Sequence, residues 1–128
     1  MIEFIDSYFN FKDERGSISG IINKDLWEEV NFITSEKGVS RGGHYHKYTK
    51  ELFFILHGEI EVVTQKINSE YKLAEKTINV VKKNDIFLIH PFTLHNFNIL
   101  KDAKWINMLS KRIDIENPDM HRIDTKLD

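Results

Sequence analysis

The stretch from Gly38 to Gly58, GVSRGGHYHKYTKELFFILHG, constrains this chain more than any other. His44 and His46 are separated by one residue, Tyr45, and Glu51 follows after four more. In an extended strand, side chains two apart leave the same face. A strand through His44 and His46 therefore aims both imidazoles one way and sends Tyr45 the other way, into packing. With Lys47 to Lys50 as a turn, Glu51 opens the next strand and adds a carboxylate. Two nitrogens and an oxygen so gathered suit a divalent ion such as Zn, Mn, Fe or Ni.

The rest of the chain reads as short strands. β-Branched and aromatic runs alternate with turn residues at close intervals, the pattern of a sandwich or barrel. Strands are expected over Ile2–Phe9, Ser17–Ile22, Val30–Thr34, Glu51–Leu56, Glu59–Lys66, Thr77–Val81, Ile86–Ile89, Leu94–Leu100 and Trp105–Leu109. A turn is expected over Lys12–Gly16, a sharp reversal at Gly58, and a brief helical turn at Leu26–Glu29. Glu51–Leu56 is nearly all apolar, as a strand buried on both faces would be. In Glu59–Lys66, Ile60 and Val62 are placed inward, Glu59 and Glu61 outward. Residues 128 in number make one domain's worth of chain, 41% hydrophobic and 30% charged, which describes a globular protein. The formal charge of −2 offers no basic field for nucleic acid. The absence of cysteine excludes disulfides and thiolate metal sites. No apolar run is long enough to cross a membrane and the N-terminus lacks a signal-peptide core, so the expected compartment is the cytoplasm.

The spacing Gly, five residues, His44-x-His46, four residues, Glu51, six residues, Gly58 resembles the first motif of the cupin family. The second motif is similar in Asn84-Asp85-Ile86-Phe87-Leu88-Ile89-His90-Pro91-Phe92-Thr93-Leu94-His95-Asn96. Asn84 stands where the family has glycine, and asparagine tolerates the left-handed conformation. His90-Pro91-Phe92 replaces the usual proline-rich turn, and His95 takes the position of the family's third histidine. The resemblance implies an all-β, RmlC-like cupin jelly-roll barrel: a single domain over residues 1–128, with 111–128 a polar C-terminal extension. It also implies that His44, His46, Glu51 and His95 are metal ligands, zinc first among the candidates, with no organic cofactor.

The flanking residues narrow the resemblance. Arg41-Gly42-Gly43-His44-Tyr45-His46-Lys47 and the upstream Asp13-Glu14-Arg15-Gly16-Ser17-Ile18 are similar to motifs of dTDP-4-dehydrorhamnose 3,5-epimerases and dTDP-sugar 3,4-ketoisomerases. The carboxylate at Glu51, His95-Asn96 and Asn117-Pro118-Asp119 look like the zinc-bound cupin domain of capsular-polysaccharide enzymes. Those enzymes also carry a reductase domain, so the second reaction of that group is not expected here. What the resemblance implies is a sugar-nucleotide epimerase or 3,4-ketoisomerase acting on a 4-keto-6-deoxyhexose linked to dTDP or UDP. His44 would abstract the proton beside the ketone, and His46 or Tyr48 would return it. Arg41 would orient substrate, and Arg15 would lie near a nucleotide diphosphate. Without metal, a histidine of ordinary pKa about 6.5 could still do the proton chemistry. The rival expectations are a small metal-dependent dioxygenase and a non-catalytic sugar-binding cupin. A homodimer joined through edge strands is expected. His57 and His90 read as structural, and the polar tail with His121 as a solvated edge or a strand exchanged between copies.

Overall fold

The computed structural model describes residues 1–123, all strand and loop with no helix. Nine strands form: β1 (Glu3–Phe4), β2 (Phe9–Asp13), β3 (Gly16–Gly20), β4 (Glu29–Ser35), β5 (Ser40–His44), β6 (Glu51–Lys66), β7 (Thr77–Lys82), β8 (Ile86–Ile89) and β9 (Thr93–Leu109). The long antiparallel pair β6 and β9 is the frame. Its register runs from Glu51 opposite Leu109 to Lys66 opposite Thr93, with shifts between Ile55 and Ile60. On one side of the shift, Glu51–Phe54 pair with β8, which carries β1, and the matching end of β9 pairs with β4. On the other side, Glu59–Thr64 pair with β7, and the first half of β9 pairs with β5. The two halves face each other across one core. Phe53, Ile55, Phe87, Ile89 and Trp105 come from the first half, Ile60, Val62, Val81, Phe97 and Ile99 from the second.

The apolar run opening β6 is buried on both faces, as its composition predicts. Phe53 and Ile55 enter the main core. Leu52 and Phe54 lie on the opposite face, in a second cluster with Ile86, Leu88, Ile21, Ile22 and Trp27. That second cluster explains why Leu26–Glu29 is extended and not helical. Trp27 packs into it, and the Glu28 N–H donates to the Leu109 carbonyl at 2.9 Å, leading straight into β4. Ile60 and Val62 point inward as expected, and Asn84 adopts φ 77°.

Three expectations about strand ends are corrected. Gly58 does not reverse the chain; it sits inside a continuous β6 as part of a bulge. A bulge bends the strand while the ladder resumes beyond it. The two strands expected over Leu94–Leu100 and Trp105–Leu109 are one: Lys101–Lys104 is the bend of β9 opposite Gly58, and the strand runs through. The N-terminal segment splits: Phe9–Asp13 belongs to a separate hairpin with Gly16–Gly20, so the turn contracts to Glu14 and Arg15.

Gly58 has φ +96°, and a Cβ there would meet the Asp102 carbonyl oxygen at 2.3 Å and the Ala103 Cα at 2.7 Å. Gly58→Ala is expected to cost about 2 kcal/mol or more in urea unfolding, from torsional strain plus overpacking. Gly16→Ala, also at positive φ but with open space around it, should cost visibly less.

Candidate functional site

The site forms where β5, β6 and β9 meet. β5 carries Arg41 and ends at His44, which lies opposite His95 on β9. The ladder between them shifts at Gly42, whose φ is +107°. A side chain there would strike the His95 carbonyl oxygen at 2.7 Å, so glycine permits the close approach of β5 to β9. The strand stops two residues earlier than expected, at His44: Tyr45 makes only an isolated bridge to His121, and His46 lies beyond it. The two imidazoles nevertheless converge, with ring centroids 5.2 Å apart. Tyr45 is turned away and buried against Phe92.

One ligand atom each from His44, His46, Glu51 and His95 lies within 4.8 Å of all the others. The expected cluster is thus assembled. The ring of His95 is 4.8 Å from His44 and 5.7 Å from His46. Glu51 opens β6 and is buried. Its Oε2 accepts from Asn107 Nδ2 at 3.0 Å, while its Oε1 faces His46 Nε2 in direct contact and His95 Nε2 at 3.5 Å.

Backbone carbonyls set the tautomers. A carbonyl only accepts, so His46 Nδ1–H donates to the Asp119 carbonyl and His95 Nδ1–H to the Thr93 carbonyl at 2.9 Å. The Nε2 atoms are left to face Glu51. His95 Nε2 is buried with no hydrogen-bond partner among the described residues. When His46 and His95 are neutral, two lone pairs and a carboxylate oxygen surround one point, and only a proton or a cation relieves them. Ring nitrogens held from behind by carbonyls are the usual outer support of metal-bound histidine. The donor set and its support therefore fit a divalent cation.

Protonation follows from burial and charge. Burial, then the neighbouring His95 and His46, push the His44 pKa down from 6.5 to about 4. Burial likewise holds His95 below its ordinary value. Burial opposes the charge on His46, but the hydrogen bond and charge of Glu51 outweigh it and hold its pKa up. Burial would raise Glu51, yet the hydrogen bond from His46 and the positive potential of the histidines keep it low. Glu51 is ionised and His44 neutral near neutral pH.

The cluster opens into a cavity of about 210 Å³, walled by Ile33, Phe53, Phe97, Trp105 and Leu109. Arg41 lines this cavity, and its Nε donates to Ser35 Oγ at 3.2 Å, which also accepts Trp105 Nε1 at 3.2 Å. Two expected residues are not brought here. The Tyr48 side chain is exposed and does not line the cavity, because the 47–49 turn is tied outward. Arg15 sits at the tip of the β2–β3 hairpin, paired with Asp13 at 2.6 Å and away from the cavity lining. His90 is structural as expected, bonded to Glu3 at 2.7 Å.

The polar tail is largely exposed, as expected for a solvated edge, but it is not free of the barrel. Residues 111–123 fold back over their own site; 124–128, the rest of the expected extension, lie outside the described residues. Ile113 and Met120 line the cavity, and Tyr45 and His121 exchange backbone hydrogen bonds at 2.9 Å. Asp119 accepts the N–H groups of Lys47 and Tyr48, the Thr49 hydroxyl and His121 Nε2, all at 2.8–2.9 Å. Burial opposes its charge, but these donors bring its pKa down to about 2. Asn107 and Asp119 were missed from sequence. Asn107 had a signal, being a polar residue in phase with inward Trp105 and Leu109; Asp119 had only its place in a family pattern.

A family profile described as the polysaccharide biosynthesis C-terminal domain matches residues 11–121. The chain belongs to this family. No curated protein matched the sequence. Among solved structures, the chain is similar to dTDP-4-dehydrorhamnose 3,5-epimerase from Sulfolobus tokodaii, with TM-score 0.75, 20% identity, and 97% and 82% of the two chains covered. It is also similar to QdtA, a sugar 3,4-ketoisomerase from Thermoanaerobacterium thermosaccharolyticum solved with TDP, with TM-score 0.73, 19% identity, and 96% and 88% covered. The capsular polysaccharide assembling protein CapF from Staphylococcus aureus aligns with TM-score 0.69 and 22% identity; 91% of this chain covers 34% of that one. The chain thus spans about a third of the CapF chain. These similarities show the fold, an RmlC-like cupin barrel, and fall on the three groups that the sequence resembles. No helix among the described residues is long and apolar enough to cross a membrane.

In metal-stripped protein, the unfolded chain protonates His44 as pH falls through 6.5, whereas the folded chain resists until about 4. The unfolded state binds more protons across that window, so stability falls there as pH is lowered. His44→Gln should escape this share of the loss: its urea midpoint should rise relative to wild type between about pH 7 and about pH 4.5. A constant difference would show that His44 keeps its ordinary proton affinity.

Proposed function

We propose that this protein is an isomerase of nucleotide-linked sugars in polysaccharide biosynthesis, moving a proton on the carbon beside a ketone. The observation that carries the reading is a neutral imidazole, His44, at the mouth of a small, largely apolar cavity backed by a buried carboxylate. The substrate class is a 4-keto-6-deoxyhexose on dTDP or UDP. The family description and the fold shared with two sugar-nucleotide isomerases support it.

Of the four clustered residues, His46, Glu51 and His95 would hold a divalent ion, zinc by the donor set, with His44 beside it and off the metal. When bound, such an ion polarises a ketone oxygen and stabilises the enediolate. His46 and His95 are fixed by carbonyls, whereas the His44 ring has no hydrogen bond among the described residues. His44 is therefore the imidazole free to turn toward substrate and take the proton. Its low pKa keeps it unprotonated and ready at neutral pH. With Tyr48 outside the cavity, His44 itself would deliver the proton to the neighbouring carbon of the enediolate, which moves the ketone; inversion at the original carbon would take its proton from a donor on the opposite face. Arg41, at the rim and braced by Ser35, orients the sugar or its phosphate. Apolar walls exclude water from the enediolate.

Incubation with such 4-keto sugars in heavy water should place deuterium on a carbon next to the ketone. His44→Asn should lower exchange at least about 100-fold while zinc content persists, and Glu51→Gln should lose the zinc. No exchange across dTDP and UDP substrates would reject the reading; oxygen uptake with iron would move the chain to the dioxygenase alternative. Binding without exchange would leave a sugar-binding cupin.

The expected pairing into a homodimer, in the cytoplasm where nucleotide sugars circulate, is part of the same proposal. Val30 and Phe32 lie exposed along the edge strand β4. Phe32→Lys should convert a dimer to a monomer in light scattering; a wild-type protein already monomeric would refute the pairing.

A further inference from the structure

The tail of this chain does more than close a wall. Asp119 sits 70 or more residues from everything it binds except His121. Its carboxylate gathers three donors from the 47–49 turn immediately after His46. Its own carbonyl accepts His46 Nδ1–H. One residue thus holds the loop that carries His46 and also sets which ring nitrogen of His46 faces Glu51. The segment is pinned beyond Asp119 by the backbone pairing of Tyr45 with His121 and by Arg122 Nη1 donating to the Gly43 carbonyl at 3.2 Å, and at its start by the Ile113 N–H donating to Glu29 Oε1 at 3.0 Å.

We propose that Asp119 is a positioning residue for His46, and that the 113–122 segment is the clamp through which it acts. The carboxylate docks the segment; docking places the carbonyl behind the imidazole; the carbonyl orients Nε2 into the cluster. The role is separate from that of Glu51, which meets His46 from the other side. His95 offers an internal comparison, since its Nδ1–H is held by Thr93, two residues away on the same strand. That bond does not depend on the tail. The catalytic consequence of the clamp rests on the isomerase reading above, but the geometry does not.

The test is proton NMR of the ring N–H groups, which are visible when hydrogen-bonded and sheltered from water. In wild type, Nδ1–H of both His46 and His95 should be protected. In Asp119→Ala the carbonyl remains but its docking is lost. The His46 proton should then exchange with water while the His95 proton persists, and zinc affinity against a chelator should fall about 10-fold or more. Asp119→Asn keeps one acceptor oxygen and should fall between the two. A His46 proton still protected in Asp119→Ala, or unchanged zinc affinity, overturns the proposal. Should Asp119→Ala fail to fold, Asp119→Asn is read the same way: selective loss at His46 supports the clamp, and no loss or equal loss at both rings overturns it. A wild-type protein that shows protected protons yet exchanges no deuterium into keto sugars would sink the isomerase reading and leave the clamp standing.

Discussion

Glu51 is a charge taken out of water, and the structure around it follows from that. A buried carboxylate is costly unless hydrogen-bonded and matched by positive charge. Here one oxygen is satisfied by Asn107, and the other is turned to two histidine nitrogens. Both of those histidines have their remaining nitrogen committed to a backbone carbonyl. Metal-free, the arrangement is balanced by a proton shared with His46; loaded, by a cation. Either way the acid holds the histidines together, and the histidines hold the acid ionised.

That arrangement requires a frame able to bring three side chains from three strands, and His46 from the loop after β5, to one point. The β6 and β9 pair is that frame. Glu51 begins one long strand and His95 lies near the start of the other. They would sit at opposite ends of a flat ladder, since Glu51 pairs with Leu109 and His95 with Thr64. The bulge at Gly58 and the bend at Lys101–Lys104 fold the ladder on itself and bring those ends face to face. The apolar core between the halves, with the Phe53, Phe97 and Trp105 rings packed at centroid distances of 4.9–5.4 Å, keeps the fold shut. The same rings form the floor of the cavity.

Much of the site was legible before any coordinates. The spacing of His44, His46 and Glu51 is local, and strand periodicity converts it into a shared direction. His95 followed from a second local motif. The corrections cluster where local pattern and tertiary role part company. Lys101, Asp102 and Lys104 are polar because they face water at the bend, whereas Ala103 between them is buried in the core, so the break in the apolar pattern is not a break in the strand. Leu26–Glu29 carries helix-compatible residues, but burial of Trp27 decides its shape. Tyr48 is near the histidines in sequence and outside the cavity in space.

By itself the sequence determined which histidines and which carboxylate would cluster, the all-β character and the family, because each depends on local motifs of residues a few positions apart. Tertiary structure alone decided that β6 bends instead of ending, that Asn107 backs the carboxylate, and that the polar tail returns to clamp His46. The Asp119 carbonyl reaches an imidazole 73 residues upstream. Periodicity carries no information over such a distance; only the closed barrel, by bringing the 113–122 segment back to the site, makes that contact.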